Sequence, residues 1–200
     1  MTDEQLVAEF LIGNEKALEV LIEKYLKPIY NFTYQLTHDT GASEDITQDV
    51  FIKTWKNIAS FDEDKKFKTW IYAIAKNTTL DWLRKKKALP FVLFEKIDGS
   101  SFLDYLQDDA SLSSDDIWRS IDANNDANKF LALLPLHTQT IIVLHHMQGF
   151  TLIEIAETFG QAINTVKSQY RRGILQLRSA IFSASEKQKI KDAPKNVLLS

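Results

Sequence analysis

Lys167, Ser168, Arg171 and Arg172 share helical spacing directly behind a glycine-containing turn. Side chains of these kinds on the first turns of a helix reach base edges and phosphates when the helix enters a major groove. The residues ahead of them supply the scaffold. Thr151 and Glu154 form a capping box that starts a short helix. Ala156 is small where a second helix must cross closely, Gly160 ends the first helix, and Val166 returns to the core. Two short helices joined by such a turn make a helix-turn-helix. Asn164 or Thr165 can cap the second helix, and the stretch 135–147, stopped by Gly149, can pack beneath the pair. A plain three-helix bundle with a basic face is the competing reading, which the spacing of Ala156, Gly160 and Val166 disfavours.

A second cluster lies earlier. Residues 65–87 hold eight Lys/Arg and one acid, Asp81. Seven of the 22 aromatic residues fall within 51–82, interleaved with that cluster: Phe51, Trp55, Phe61, Phe67, Trp70, Tyr72 and Trp82. Rings beside cations hold unstacked single-stranded bases, at about 1–3 kcal/mol per base. Trp55 and Trp70 sit on apolar stripes and belong in the core by that pattern. Lys68, Tyr72, Lys76, Asn77, Arg84 and Lys86 are the surface candidates.

Other chemistries find little support. The chain has no cysteine, which removes disulfides, thiolate metal sites and cysteine nucleophiles. His137, His145 and His146 with Glu154 and Glu157 are conceivable metal ligands. Neighbouring helical residues point about 100° apart, however, which sets His145 and His146 against joint coordination. There is no nucleophile–base set and no phosphate-cradling Gly loop. The expectation is a protein that is not an enzyme and needs no cofactor.

These groups must be positioned by helices. The 200 residues are 44% apolar and 26% charged, ordinary for folded domains, and six Gly with four Pro are too few for an all-β fold. The fold class expected is all-α: two small helical domains joined by an acidic connector. The first helix carries Leu6, Val7, Phe10 and Leu11, with Thr2 and Gln5 as a capping box and Gly13-Asn14 as its stop. The second runs from Leu18 through Leu36, and Pro28 is expected to kink or split it. A loop follows at 38–41, then a third helix over 43–59 burying Ile46, Val50, Phe51, Trp55 and Ile58. A fourth, over 67–87, puts Trp70, Ile71, Ile74, Ala75 and Thr78 on one face and Lys68, Tyr72, Lys76 and Thr79 on another.

Net charge is −1 over 1–87, −7 over 88–128 and +5 over 129–200. Domain boundaries are therefore set at 1–88, an acidic linker at 89–128, 129–185, and a basic tail at 186–200. No apolar run approaches the roughly 20 residues that span a bilayer. The opening MTDEQLVAEF lacks a signal-peptide pattern, so a cytoplasmic protein without membrane insertion is expected.

Four stretches, in order, resemble the extracytoplasmic-function (ECF) subfamily of bacterial RNA polymerase sigma factors. EDITQDVFIKTW at 44–55 resembles the helix these factors dock on the polymerase clamp. FKTWIYAIAKN at 67–77, with Asp81 and Arg84, resembles the promoter-melting helix. LLP at 133–135 with QGF at 148–150 resembles the start of the second domain, and TVKS at 165–168 its recognition helix. The resemblance implies core RNA polymerase and promoter DNA as partners, and leaves open an anti-sigma factor. It implies that Asp45, Gln48, Asp49 and Trp55 lie at or support the polymerase contact. Residues 61–68, with Lys65, Lys66 and Lys68 among them, and Asn77 would lie near flipped bases of the minus-ten element. Tyr72, Lys76 and Arg84 belong to the same helix. Lys167, Ser168, Arg171 and Arg172, with Asn164 and Thr165 at the helix start, would read the minus-thirty-five element. Gln169 stands where the family usually carries Arg, and the loop 62–66 is more acidic than a base-capturing loop ordinarily is.

Other readings differ in what they leave unexplained. A helix-turn-helix regulator with a sensor domain has no reason to carry the 44–55 and 67–84 stretches. An adaptor that binds polymerase without melting DNA has no use for Lys68, Tyr72 and Asn77. For the connector, two roles stay open: its acids (Asp98, Asp104, Asp108, Asp109, Asp115, Asp116) occupy a positive channel of the polymerase, or they shield the basic faces of the free chain.

Overall fold

The computed structural model describes residues 1–87 and 127–191, and every regular element among them is helical. The acidic connector and the chain end from 192 lie outside the described residues.

The first half is built from four helices. Helix α1, Asp3–Leu11, starts on the Thr2–Gln5 capping box, in which each residue's side chain accepts from the other's backbone N–H. Helix α2, Glu15–Thr37, runs unbroken through Pro28, so the expected split does not occur. Leu21, Tyr25, Ile29, Phe32 and Leu36 form one buried stripe on both sides of the proline. Clamping that stripe between neighbouring helices outweighs the roughly 3 kcal/mol a mid-helix proline costs. His38, in the left-handed region at φ 52°, ends α2. Asp39 caps α3, Thr40–Asn57, by accepting the Ala42 N–H at 3.0 Å. The loop expected at 38–41 therefore shrinks to two residues, and α3 starts earlier than its apolar spacing indicates. A single 3-10 turn, Ile58–Ser60, follows.

Helix α4, Phe67–Lys87, has the bounds expected from its periodicity. Its first N–H, on Phe67, donates to the Glu4 carboxylate at 3.0 Å, which ties α1 to the positive end of α4. Phe61 and Phe67 stack edgewise at 5.7 Å, Tyr25 and Phe67 at 5.5 Å, and Phe32 and Tyr72 at 5.5 Å. Most of the aromatic excess in this half is thus core. Trp55 is the exception: it is 59% exposed, which corrects its assignment to the core.

In the second half, α5 covers Ala127–Leu131 and α6 covers Leu136–Ile142, passing into a π-helical turn at Val143–Met147. Helix α7, Leu152–Phe159, begins on the Thr151–Glu154 capping box and ends at Gly160, φ 62°. Helix α8, Ile163–Lys191, follows after a three-residue turn and extends past the point at which the basic tail was expected to begin. It starts ahead of Asn164 and Thr165, so these lie in its first turn rather than at its cap. Ala156 and Val166 are buried as the helix-turn-helix pattern requires. Gly173 lets α8 meet α6 closely: a Cβ there would lie 2.5 Å from Thr138 Cγ2 and 2.7 Å from Ile142 Cδ1.

Candidate nucleic-acid and polymerase interface

Helix α3 has two distinct faces. Ala42, Ser43, Ile46, Thr47, Val50 and Thr54 point into the core. Asp45, Gln48, Asp49, Ile52 and Trp55 line the opposite face and are all exposed. An exposed isoleucine and tryptophan within a carboxylate-bearing stripe make a surface able to dock a partner both by apolar contact and by charge. Ile52 was not among the sequence candidates, although the spacing 45, 48/49, 52, 55 contains it.

Helix α8 presents Asn164, Thr165, Lys167, Ser168 and Arg171 on its exposed side, with Arg172 half-buried beside them. Gln169 turns the other way. Its Oε1 is 3.1 Å from His137 Nε2, so it serves the contact between α8 and α6. Burial pushes the His137 imidazole below its ordinary value of 6.5, against the hydrogen bond it donates to Gln169 Oε1. His145 Nδ1 lies 2.6 Å from the Phe150 carbonyl, and His146 Nε2 lies 2.9 Å from the Tyr170 hydroxyl. Among the described residues no three His, Asp or Glu gather as a metal site.

The candidates in and around α4 separate into two groups. Asn77 is exposed, Lys65 pairs with Asp62 at 3.6 Å, and Arg84 pairs with Asp81 at 2.9 Å. Lys86 reaches the Asp39 carboxylate at 2.7 Å and lies over the Trp82 ring. The other four face the second half of the chain. Lys66 donates to Glu154 at 2.7 Å, Lys68 to the Gln148 carbonyl at 3.0 Å, and Lys76 to the Thr158 carbonyl at 3.1 Å. The Tyr72 hydroxyl donates to Gln148 Oε1 at 2.7 Å, and its ring meets Phe150 edgewise at 4.8 Å. Lys68 also sits 4.1 Å from the Phe150 ring centre and Lys76 4.4 Å from that of Phe159.

Lys68, Tyr72 and Lys76 are therefore not open surface, as the amphipathic pattern of α4 suggests; Tyr72 is 1% exposed and Lys76 7%. Burial pushes the Lys68 and Lys76 ammonium groups down and the Tyr72 phenol up. Burial also raises the Glu154 carboxyl, but Lys66 together with the Thr151 N–H and hydroxyl outweighs it and holds the group at about 2.

Two family descriptions match the chain: Sigma-70 region 2 over residues 21–89 and Sigma-70, region 4 over 127–177. The ECF RNA polymerase sigma factor SigW of Bacillus subtilis (strain 168) is 33% identical over 171 residues, covering 84% of this chain and 91% of that protein. RNA polymerase sigma factor YlaC of the same organism is 28% identical, covering 87% of this chain and 97% of that protein. The fold is similar to that of CnrH in complex with the cytosolic domain of CnrY, with a TM-score of 0.65 and 19% identity over 91% of this chain and 97% of that one.

Proposed function

Because the chain belongs to the ECF branch of the sigma-70 family, we propose that it divides promoter opening between its two halves: α3 binds core RNA polymerase, α4 holds the opened minus-ten strand, and α8 reads the minus-thirty-five duplex. As an RNA polymerase sigma factor it directs transcription initiation. It works as a binding protein, with core polymerase and promoter DNA as its partners and the cytoplasm as its place of action. A solved relative is a complex of a sigma factor, RpoE, with the anti-sigma factor NepR, and an inhibitory protein of that kind is a further proposed partner here.

The observation that carries the polymerase assignment is the outer stripe of α3. A regulator that only bound duplex DNA would have no use for Ile52 and Trp55 held in water beside Asp45, Gln48 and Asp49. Docking them recovers apolar area at about 25 cal/mol per Å², and the acids supply orientation and selectivity. For α8, Lys167 and Arg171 supply phosphate or base contacts, with Ser168 and Asn164 reaching base edges. On α4, strand capture needs cations for the backbone and a ring for an unstacked base; Lys66, Lys68, Lys76 and Tyr72 supply both, joined by Lys65, Asn77 and Arg84. Domain limits of 1–88 and 129–185, with the acidic segment between them as a linker, fit this division.

Reconstitution with core polymerase on a library of promoter-length DNA tests the proposal. RNA chains should start on a sequence-defined subset of templates. A chain that does not associate with polymerase, or a complex that starts no RNA, overturns it.

A further inference from the structure

The 62–66 loop, which leads into α4, carries Lys65 and Lys66, two of the cations assigned to the opened strand. Its five residues are all exposed, while Phe61 and Phe67 on either side are buried. The loop therefore commits no side chain of its own to the core, and its shape depends on how its backbone and its two ends are held. Asp62 holds the near end: its carbonyl accepts the Lys65 N–H at 2.9 Å and its Oδ1 accepts the Asp64 N–H at 3.2 Å. At the far end, the Trp70 N–H donates to the Lys66 carbonyl at 3.2 Å, the first intrahelical bond of α4. That bond makes Lys66 the capping position. A lysine has no oxygen to accept the free N–H groups of the first turn, and its charge opposes the positive end of the helix.

The missing acceptor comes from 63 positions upstream, where Glu4 Oε1 accepts the Phe67 N–H at 3.0 Å. Helix α1 is pinned to make this contact. The neighbouring Asp3 carboxylate pairs with Lys24 and accepts the Tyr25 hydroxyl at 2.6 Å, and the Tyr25 ring meets Phe67 edgewise at 5.5 Å. Adjacent acids of α1 thus hold α2 and α4 at one corner. Burial raises the Glu4 carboxyl, but its hydrogen bonds, that from the Phe67 N–H foremost, hold it below the ordinary carboxylate range. It stands as an anion at the positive end of α4.

We propose that Glu4 is a positioning residue for minus-ten recognition: by supplying the cap that Lys66 cannot, it fixes the exit of the 62–66 loop and so the reach of Lys65 and Lys66 toward an unpaired base. The role rests on the strand capture proposed for α4 and its lysines. Base selection is a difference between affinities, and a loop that adapts its shape meets a wrong base nearly as well as the right one. A Ser or Asp at position 66 would turn its side chain back onto the helix. Delegating the cap to α1 leaves both lysine side chains directed outward.

The test uses the full chain assembled with core polymerase and a pool of randomised single-stranded DNA of minus-ten length. Sequencing the bound fraction gives the discrimination among bases at each position. Glu4→Ala removes the acceptor. Glu4→Asp keeps an acid in the first turn of α1 but draws the oxygen back by one methylene, and Glu4→Gln keeps an oxygen at the same reach without the charge. Discrimination should fall about fivefold in Glu4→Ala and Glu4→Asp, equivalent to about 1 kcal/mol, and stay within about twofold of the parent in Glu4→Gln. Affinity for core polymerase should be unchanged in all three. Amide exchange at Phe67 should quicken in the first two and not in the third. A merely structural residue would act differently, weakening binding to every sequence by one common factor. The proposal is overturned if the ratios between bases stay intact in Glu4→Ala, if Glu4→Gln loses discrimination as fully as Glu4→Ala, or if the Phe67 amide stays as protected as in the parent. If Glu4→Ala does not fold, Glu4→Asp, which preserves the acidic start of α1, carries the same comparison. The parent keeps the two readings apart. A parent complex with no base preference on the pool removes strand capture itself, whereas a preference that persists in Glu4→Ala and Glu4→Asp removes only the part given to Glu4.

Discussion

Gly173→Ala is the sharpest test of how α8 is held against α6. The added Cβ would sit 2.5 Å from Thr138 Cγ2 and 2.7 Å from Ile142 Cδ1, against a comfortable carbon–carbon separation of about 3.5–4.0 Å. Ile142 is wholly buried and Thr138 is stiff at χ1, so the strain falls on the spacing of α6 and α8. Overpacking of this kind costs about 1–3 kcal/mol, while alanine for glycine within a helix returns about 0.8–1.0 kcal/mol. The balance is a destabilisation of up to about 2 kcal/mol, read as a lower urea midpoint for the full chain. Thr138→Ser removes the nearer methyl, and the double variant should recover about 0.5–1 kcal/mol relative to additivity. Promoter affinity of the holoenzyme should fall as well, because α8 carries Lys167 and Arg171. A Gly173→Ala chain that is more stable than its parent, with no coupling to Thr138→Ser, would refute the close-approach reasoning.

Ile52→Asp should weaken binding to core polymerase at least tenfold, the effect of about 1.4 kcal/mol at a buried interface position. It should leave the unfolding free energy within about 0.5 kcal/mol of the parent's, since the side chain is already in water; titration of labelled core polymerase and a urea denaturation curve check both. Arg171→Ala in the holoenzyme should cost about 1–3 kcal/mol with relaxed preference at one base pair if the side chain reads a base edge. A uniform loss with a shallower salt slope would assign it to phosphate. His137 has its folded value depressed by burial, so the unfolded chain binds the proton more readily. Stability should be complete above about pH 6.5 and decline as pH drops below it, and His137→Gln should flatten that limb in urea midpoints between pH 8 and 5. Thr151→Ala removes the first half of a capping box and should destabilise the chain by about 0.5–2 kcal/mol, visible as faster amide exchange across α7.

Local chemistry determined a large share of this protein in advance. Both capping boxes, the bounds of α4, the stop at Gly160 and the helix-turn-helix follow from side chains within one or two helical turns of each other. Such interactions do not depend on what the rest of the chain does. The exposed stripe of α3 and the exposed basic side of α8 were legible for the same reason, since helical period alone assigns Asp45, Gln48 and Asp49, or Lys167, Ser168 and Arg171, to common faces. Where an apolar or basic face finds its cover is a different matter. Trp55 lies on a pattern that reads as core yet ends in water, and Pro28 lies in a helix that tertiary clamping keeps whole. Lys68, Tyr72 and Lys76 read as open surface and are covered by residues 76 to 83 positions away in sequence. Periodicity tells which side chains travel together on a helix; only the packed structure decides what they meet, because burial depends on partners that are remote along the chain.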